Sequence, residues 1–293
     1  MELTLFTGVV VALCGVGVGI LSAMFGIGGG IVMVPLIHMA FGQPAAVASG
    51  TSLFAILPTS ISGMVARLHD GTIRFPVGIA VGLAGACLSP LGAVAASNLP
   101  GVYAMVLTAF FILFTAYNLF KRVWRTRPSA KAAEGTGATG AAAGATGAAA
   151  GASQPAAAAT LRRAPLQDAT GVRLYGAAAV LGAVVGLLSG YLGLGGGFLI
   201  VPLLQFAFGF TMKQATGTSL VAVAIFAVPS FIAHAILGNV MWALGLLLIV
   251  GSVFGAKIGA AVIKRVNDRL LTALFAVLLV VAGVVLAANE FIG

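Results

Sequence analysis

The chain has 293 residues, of which 60% are hydrophobic and 7% charged, where ordinary soluble domains carry about 25% charged residues. So little polar surface cannot cover a body of this size in water, and lipid is the solvent that fits. The net charge of +9 lies mostly between apolar segments, much of it between Lys121 and Arg173. That distribution suits cytoplasmic loops beside anionic lipid, and no basic patch interleaved with aromatics calls for a nucleic-acid partner.

In chain order, apolar segments run over 5–25, 30–41, 50–67, 76–97 and 102–120, and then over 174–192, 197–209, 216–236, 241–262 and 270–288. Most reach the ~20 residues that cross a bilayer at about 1.5 Å per residue. Segments 30–41 and 197–209 are shorter, and each follows a glycine cluster, so they read as half-helices. Met1-Glu2-Leu3-Thr4 lacks the basic flank of a cleaved signal peptide, so the first run reads as a retained span. Cys14 and Cys87 sit inside apolar runs without metal-ligand spacing and read as packing residues. The stretch 128–172 is rich in Ala, Gly and Thr, has little to bury, and reads as a flexible tether. The organisation expected is an all-α polytopic membrane protein: a first repeat over 1–125, a disordered linker over 126–172 and a second repeat over 173–293.

The two halves repeat each other without gaps. Gly26-Ile27-Gly28-Gly29-Gly30 matches Gly193-Leu194-Gly195-Gly196-Gly197, and Val34-Pro35-Leu36 matches Val201-Pro202-Leu203. Ala48-Ser49-Gly50-Thr51-Ser52-Leu53 matches Ala215-Thr216-Gly217-Thr218-Ser219-Leu220. The offset is 167 residues from Gly26 to Gly193 and again from Ala48 to Ala215, and it still aligns Gly92 with Gly259. With the basic linker in the cytoplasm and each segment reversing direction, Arg67, Arg74, Lys213 and the run Lys264–Arg269 all fall on the cytoplasmic side. The loops 42–48, 98–101 and 237–240 carry no Lys or Arg and fall outside, with both termini. Fusing each short segment with its predecessor would put Lys213, Lys264, Arg265 and Arg269 outside, against the positive-inside tendency. Each half therefore has an odd count, about five segments, and the two repeats are expected to be inverted.

The six acidic residues, Glu2, Asp70, Glu134, Asp168, Asp268 and Glu290, lie in loops, in the linker or near an end. With no carboxylate in mid-span, no Ser/His/Asp set and no paired histidines, no catalytic residue, cofactor or metal site is expected. The glycine clusters carry the chemistry instead. Each glycine costs a helix interior ~1 kcal/mol relative to Ala, and the break frees backbone groups that lipid cannot satisfy. Such a break persists when it is buried in protein or lines a polar cavity. The next helix starts there with bare amides and a partial positive charge, which suits an anion, and paired broken helices mark transporter sites. Close helix packing is the competing role for the same glycines.

The candidate substrate-binding residues are Gly28, Gly29, Gly30, Ser49, Gly50, Thr51 and Ser52 with Gly195, Gly196, Gly197, Thr216, Gly217, Thr218 and Ser219. The hydroxyls among them are read either as N-caps of the helices that begin there or as oxyanion donors. Lys257, well inside a span, is read either as a counter-charge or as a snorkelling side chain. His38 and His234 are proton-coupling candidates, with hydrogen-bonded packing as their other reading. Pro35, Pro202, Pro58 and Pro229 are expected to kink their helices. The four-residue spacing of Gly182, Gly186 and Gly190, and of Gly251, Gly255 and Gly259, favours close helix packing.

The motif Gly26–Leu36, its copy Gly193–Leu203 and the Ser/Thr-Gly-Thr-Ser element that follows each resemble the sulfite exporter TauE/SafE family. The resemblance covers both halves. It implies transport, often export, of small sulfur-containing anions such as sulfite, sulfonates or sulfoacetate, and about eight spans. The reading is a secondary transporter in an inner or plasma membrane, working by alternating access and coupled to H⁺ or Na⁺. A passive anion channel, or a carrier of another small organic acid, is the alternative. Nothing in the sequence sets the oligomeric state.

Overall fold

The computed structural model describes residues 5–98, 106, 110, 112–117 and 171–292. The linker expectation over 126–172 lies outside these residues except at its last two positions, as does most of the segment read at 102–120. Among the described residues the chain is helical and has no strand. The helices are α1 (Leu5–Phe25), α2 (Gly30–Phe41), α3 (Ala45–Ala66) and α4 (Phe75–Asn98). After the linker come α5 (Val172–Leu192), α6 (Gly197–Phe208), α7 (Met212–Ile236), α8 (Trp242–Arg265) and α9 (Asp268–Ile292). A short 3₁₀ turn, Leu68–Asp70, follows α3, and residues 112–117 are helical. Among the described residues, seven helices are long and apolar enough to cross a membrane; α2 and α6 are apolar but short.

The 167-residue offset carries α1, α2, α3 and α4 onto α5, α6, α7 and α8, and the starts of all four pairs coincide under it. Packing follows the same rule, but across the halves. The first helix of each half lies along the fourth helix of the other, α1 on α8 and α5 on α4, and α3 and α7 cross at the centre, α3 packing along α8 and α7 along α4. The contacts that allow this are backbone to backbone. A Cβ at Gly15 would stand 2.8 Å from Leu248 O, and one at Gly186 would strike Gly85 Cα. Gly251 and Gly255 meet the backbone of Ala12 and Val16, and Gly182 and Gly190 meet that of Val81 and Ser89. The four-residue glycine spacing is thus a packing surface. In lipid, apolar side chains gain nothing by leaving lipid for each other, so close backbone approach is a main source of helix association.

The helix starts differ from those expected at two places. α3 begins at Ala45 behind Pro44, and α7 begins at Met212 behind Thr211. The Thr211 side chain accepts from Gln214 N, and the Gln214 side chain accepts from the Thr211 amide, a reciprocal cap. Ser49–Ser52 and Thr216–Ser219 therefore lie inside helices, and their N-cap reading is corrected. Reading apolar runs alone placed these starts late, because Ala-rich and Lys-Gln turns are helical without being strongly apolar.

Charge sorts the loops onto two ends. Asp70, Lys264, Arg67 and Lys213 meet at one: Lys264 Nζ pairs with Asp70 at 2.9 Å, and Arg67 donates to Lys213 O at 2.7 Å. At the other, Asn239 donates to Ser97 Oγ at 2.8 Å, and Met241 N donates to Thr51 Oγ1 at 2.9 Å. The end of α3 thus lies against the start of α7, and the start of α3 against the end of α7.

Candidate substrate site

Each glycine cluster interrupts two helices. Gly29 has φ 91° and Gly196 φ 58°, left-handed conformations that disfavour any residue with a Cβ, and α2 and α6 begin at the next residue. On α2 the first amides to find an acceptor are those of Val32 and Met33, both bonded to Gly29 O; on α6 Leu199 and Ile200 bond Gly196 O. Gly197 N bonds Gly195 O at 2.7 Å. The amides of Gly28, Gly29 and Gly30 make no such bond, which is the usual condition of a helix's first turn.

The two breaks meet. A Cβ at Gly30 would lie 2.5 Å from the Leu194 carbonyl carbon, and one at Gly197 would lie 2.6 Å from Ile27 Cα. Ile27 and Leu194 are themselves equivalents under the offset, so each break packs on the other. Both clusters are fully buried, and Ile56 and Val223 stand 2.9 Å from a Cβ at Gly28. In this structure the central helices α3 and α7 close over the breaks with these two side chains.

The hydroxyls read as oxyanion donors are engaged elsewhere. Ser52 Oγ donates to Gly193 O at 2.6 Å, and its equivalent Ser219 donates to Gly26 O at 2.8 Å. Ser49 Oγ donates to Leu192 O, Thr216 Oγ1 accepts from Arg67, and Thr218 Oγ1 accepts from Arg74 N just as Thr51 accepts from Met241 N. Gly50 and Gly217 make room for the other half: Asn239 O sits over Gly50, and Ile73 and the Arg67 guanidinium lie over Gly217. These residues hold the halves together around the glycine breaks.

Among the described residues, five buried hydroxyls outside the sequence-based candidates have no partner, Ser22, Ser60, Thr72, Ser189 and Ser230, and the first, second and fourth stand beside the breaks. Ser22 and Ser189 are equivalents, one turn before each cluster, and their Cβ atoms stand 3.6 Å and 3.1 Å from a Cβ at Gly29 and Gly196. Ser60 Oγ is 3.3 Å from a Cβ at Gly28. A serine one turn ahead of a glycine break, present in both copies, is the signal that could have found Ser22 and Ser189; Ser60, whose equivalent is Ala227, carries no such signal.

Lys257 lies on the exposed face of α8 between Phe254 and Ile258, which are also exposed, and it does not face the breaks. That placement corrects its reading as a counter-charge; Phe254 and Ile258 put its stem among the apolar outer surface, where a lysine snorkels. His38 is half-buried at the end of α2, with Nδ1 2.6 Å from Gln43 O. His234 is fully buried, and its Nε2 donates to Gly190 O at 3.2 Å. Arg67, placed in a loop by the sequence reading, is 1% exposed and bonds Ala23 O, Thr216 Oγ1 and Lys213 O. Cys14 and Cys87 are free thiols.

A bundle of apolar helices with a pair of interrupted helices abutting at its centre is a membrane-transporter architecture, and the chain is a multi-pass membrane protein of that class. The family model for the sulfite exporter TauE/SafE family matches residues 11–180 and 156–286, and the chain belongs to this family. It is 26% identical over 286 residues to the probable membrane transporter protein YunE of Bacillus subtilis, covering 94% of this chain and 95% of that one. A second Bacillus subtilis relative, the probable membrane transporter protein YdhB, is 26% identical over 242 residues, covering 83% of this chain and 84% of that one. A probable membrane transporter protein of Xylella fastidiosa is 25% identical over 270 residues, covering 91% and 90% of the two chains. No solved structure matches the chain.

Proposed function

We propose that the protein is a secondary transporter of small sulfur-containing oxyanions, such as sulfite, sulfonates or sulfoacetate, acting as an exporter by alternating access. The observation that carries this reading is the meeting of the two glycine breaks, with bare helix-start amides beside the unpartnered hydroxyls of Ser22, Ser60 and Ser189. An oxyanion with three or more acceptor oxygens satisfies such donors from both sides at once, and the two helix N-termini add favourable dipole charge. No fixed cation is needed for recognition, and none faces the breaks from Lys257.

The halves are inverted repeats in this reading. The crossing of α3 and α7 end against start supports it, as does the exchange of equivalent hydrogen bonds. An inverted pair offers two pseudo-equivalent closures, one at each end of α3 and α7. Opening one end while the other stays packed gives alternating access, with Ile56 and Val223 as the side chains that must withdraw from the anion. The basic end, holding Lys213, Lys264, Arg265 and Arg269, lies in the cytoplasm, and the Asn239 end faces outside.

The test is uptake into proteoliposomes of radiolabelled sulfite, sulfate, sulfoacetate and a plain carboxylate. Saturable uptake of a sulfur oxyanion, accelerated by unlabelled solute on the opposite side, is the expected result. Flux that neither saturates nor shows counterflow would make the protein an anion channel, and preference for the carboxylate would make it a carrier of another organic acid.

A further inference from the structure

Positions 67 and 234 are equivalent under the 167-residue offset, yet one is arginine and the other histidine. Both side chains are buried, Arg67 at 1% exposure and His234 at 0%. Both donate to the same carbonyl of the repeat: Arg67 to Ala23 O at 3.4 Å, His234 to Gly190 O at 3.2 Å. The two residues are the same bolt at opposite ends of the molecule.

Their surroundings differ. Arg67 finds two further acceptors, Thr216 Oγ1 at 3.0 Å and Lys213 O at 2.7 Å, and carboxylates stand nearby at Asp70 and Asp268. A permanent cation has three acceptors and nearby counter-charge there, although its Nε has no partner. At His234 the residue equivalent to Thr216 is Ser49, whose hydroxyl is turned to Leu192 O. His234 Nδ1 has no partner. The segments packed around it, 45–56, 85–98, 182–192 and 237–245, contain no Asp, Glu, Lys or Arg. Among the described residues of these segments and of α2, the titratable groups are Tyr191, one residue past Gly190, the exposed Cys87, and His38 with its Nδ1 on Gln43 O.

We infer that His234 is a proton-operated latch, closed when the ring is neutral and released when Nδ1 takes a proton from water at the Asn239 end. The inference rests on the transporter reading and names what regulates one of its two closures. With one proton, on Nε2, the ring serves Gly190 O and leaves Nδ1 a bare acceptor, a smaller cost in apolar packing than a buried charge. A second proton creates a cation and a new donor with no acceptor and no counter-charge, which closed apolar packing does not tolerate. Water supplies both if that end opens. The contacts broken by opening surround the ring: Asn239 N bonds His234 O at 2.9 Å, Asn239 Nδ2 bonds Ser97, and Met241 N bonds Thr51. The imidazolium then faces an opened vestibule where it attracts an anion. The proton returns to the same water when the end closes. The Arg67 end has no such dependence, because guanidinium stays charged at all working pH values.

The experiment is hydrogen–deuterium exchange of the full-length protein in nanodiscs from about pH 5.5 to 8, bracketing the ordinary histidine range, with chemical exchange rates corrected for pH. Exchange in 190–193 and 237–241 is expected to rise at least ~5-fold on the acid side, while 67–74 and 209–213 stay level. His234→Gln keeps a donor for Gly190 O and cannot be protonated; it is expected to hold exchange at the neutral-pH level throughout, with His234→Asn as a second variant. His38→Gln is expected to leave the response intact. A pH-independent wild type, a retained response in both His234 variants, or loss of the response in His38→Gln overturns the inference. The readout needs no solute, so it fails separately from the transport reading, which the uptake panel decides.

Discussion

Arg67 shows how a single side chain can be misplaced by composition and still carry much of one end of the molecule. In the sequence it closes an apolar run and sits three residues from Asp70, so it reads as a loop charge. In the structure its guanidinium ties the end of α3 to the start of α7 and to α1. Hydrogen bonds from a charged donor are worth about 1.5–3 kcal/mol each. Arg67→Met is therefore expected to cost at least ~3 kcal/mol, seen as a lower thermal unfolding midpoint in detergent; an unchanged midpoint would show that these bonds contribute nothing. The hydroxyls divide by the same accounting. Ser52 and Ser219 spend theirs on carbonyls of the opposite break, whereas Ser22, Ser60 and Ser189 have theirs free. The sequence reading chose the first group because it forms a repeated motif. In the second group, Ser22 and Ser189 carry no pattern until both copies are laid side by side, and Ser60, opposite Ala227, carries none even then.

Among the elements, glycine has two separable uses. At Gly29 and Gly196 it permits a left-handed turn that starts a helix, and along α4, α5 and α8 it lets backbones touch. Both uses were legible in the sequence, from the clusters and from the four-residue spacing. The partner of each glycine stripe was not legible, because spacing names a surface and not what lies on it. Gly186→Leu would drive a side chain into the Gly85 backbone, and loss of folded protein in size-exclusion chromatography is expected. Gly17, inside α1, is exposed, and a Cβ there meets nothing within 4 Å. Gly17→Ala is expected to raise stability by about 0.5–1 kcal/mol through helix propensity alone. A destabilised Gly17→Ala, or a well-folded Gly186→Leu, would contradict the packing described.

Taken whole, the molecule is two copies of one unit that do not pack as two bodies. The duplication and its offset could be read from residue identities, and the helix starts obey it. The exchange of partners could not be read: α1 leaves its own half to lie on α8, and α5 leaves its own to lie on α4. Two consequences follow. A half expressed alone lacks the surface that its first helix needs, so it is expected to be degraded. A chain cut within 128–170 is expected to keep its two pieces together through co-purification and to retain transport; separation of the pieces in mild detergent would refute the interlocked arrangement. The proposed alternating access draws on the same interlock. In that proposal, a small rotation of α3 and α7 against the α1–α8 and α4–α5 pairs would change both ends at once, in opposite senses.

Saturable uptake of sulfite and sulfoacetate, compared between wild type and Ser22→Ala, Ser189→Ala and the double variant, tests most directly whether the joined glycine breaks bind the anion. These serines make no hydrogen bond within the chain, so their removal leaves the packing intact. Each single variant is expected to raise KM by about 10–150-fold, as for the loss of one hydrogen bond to a charged acceptor, and the double variant more, with folding unchanged. Wild-type kinetics in the well-folded double variant would remove the anion from the breaks.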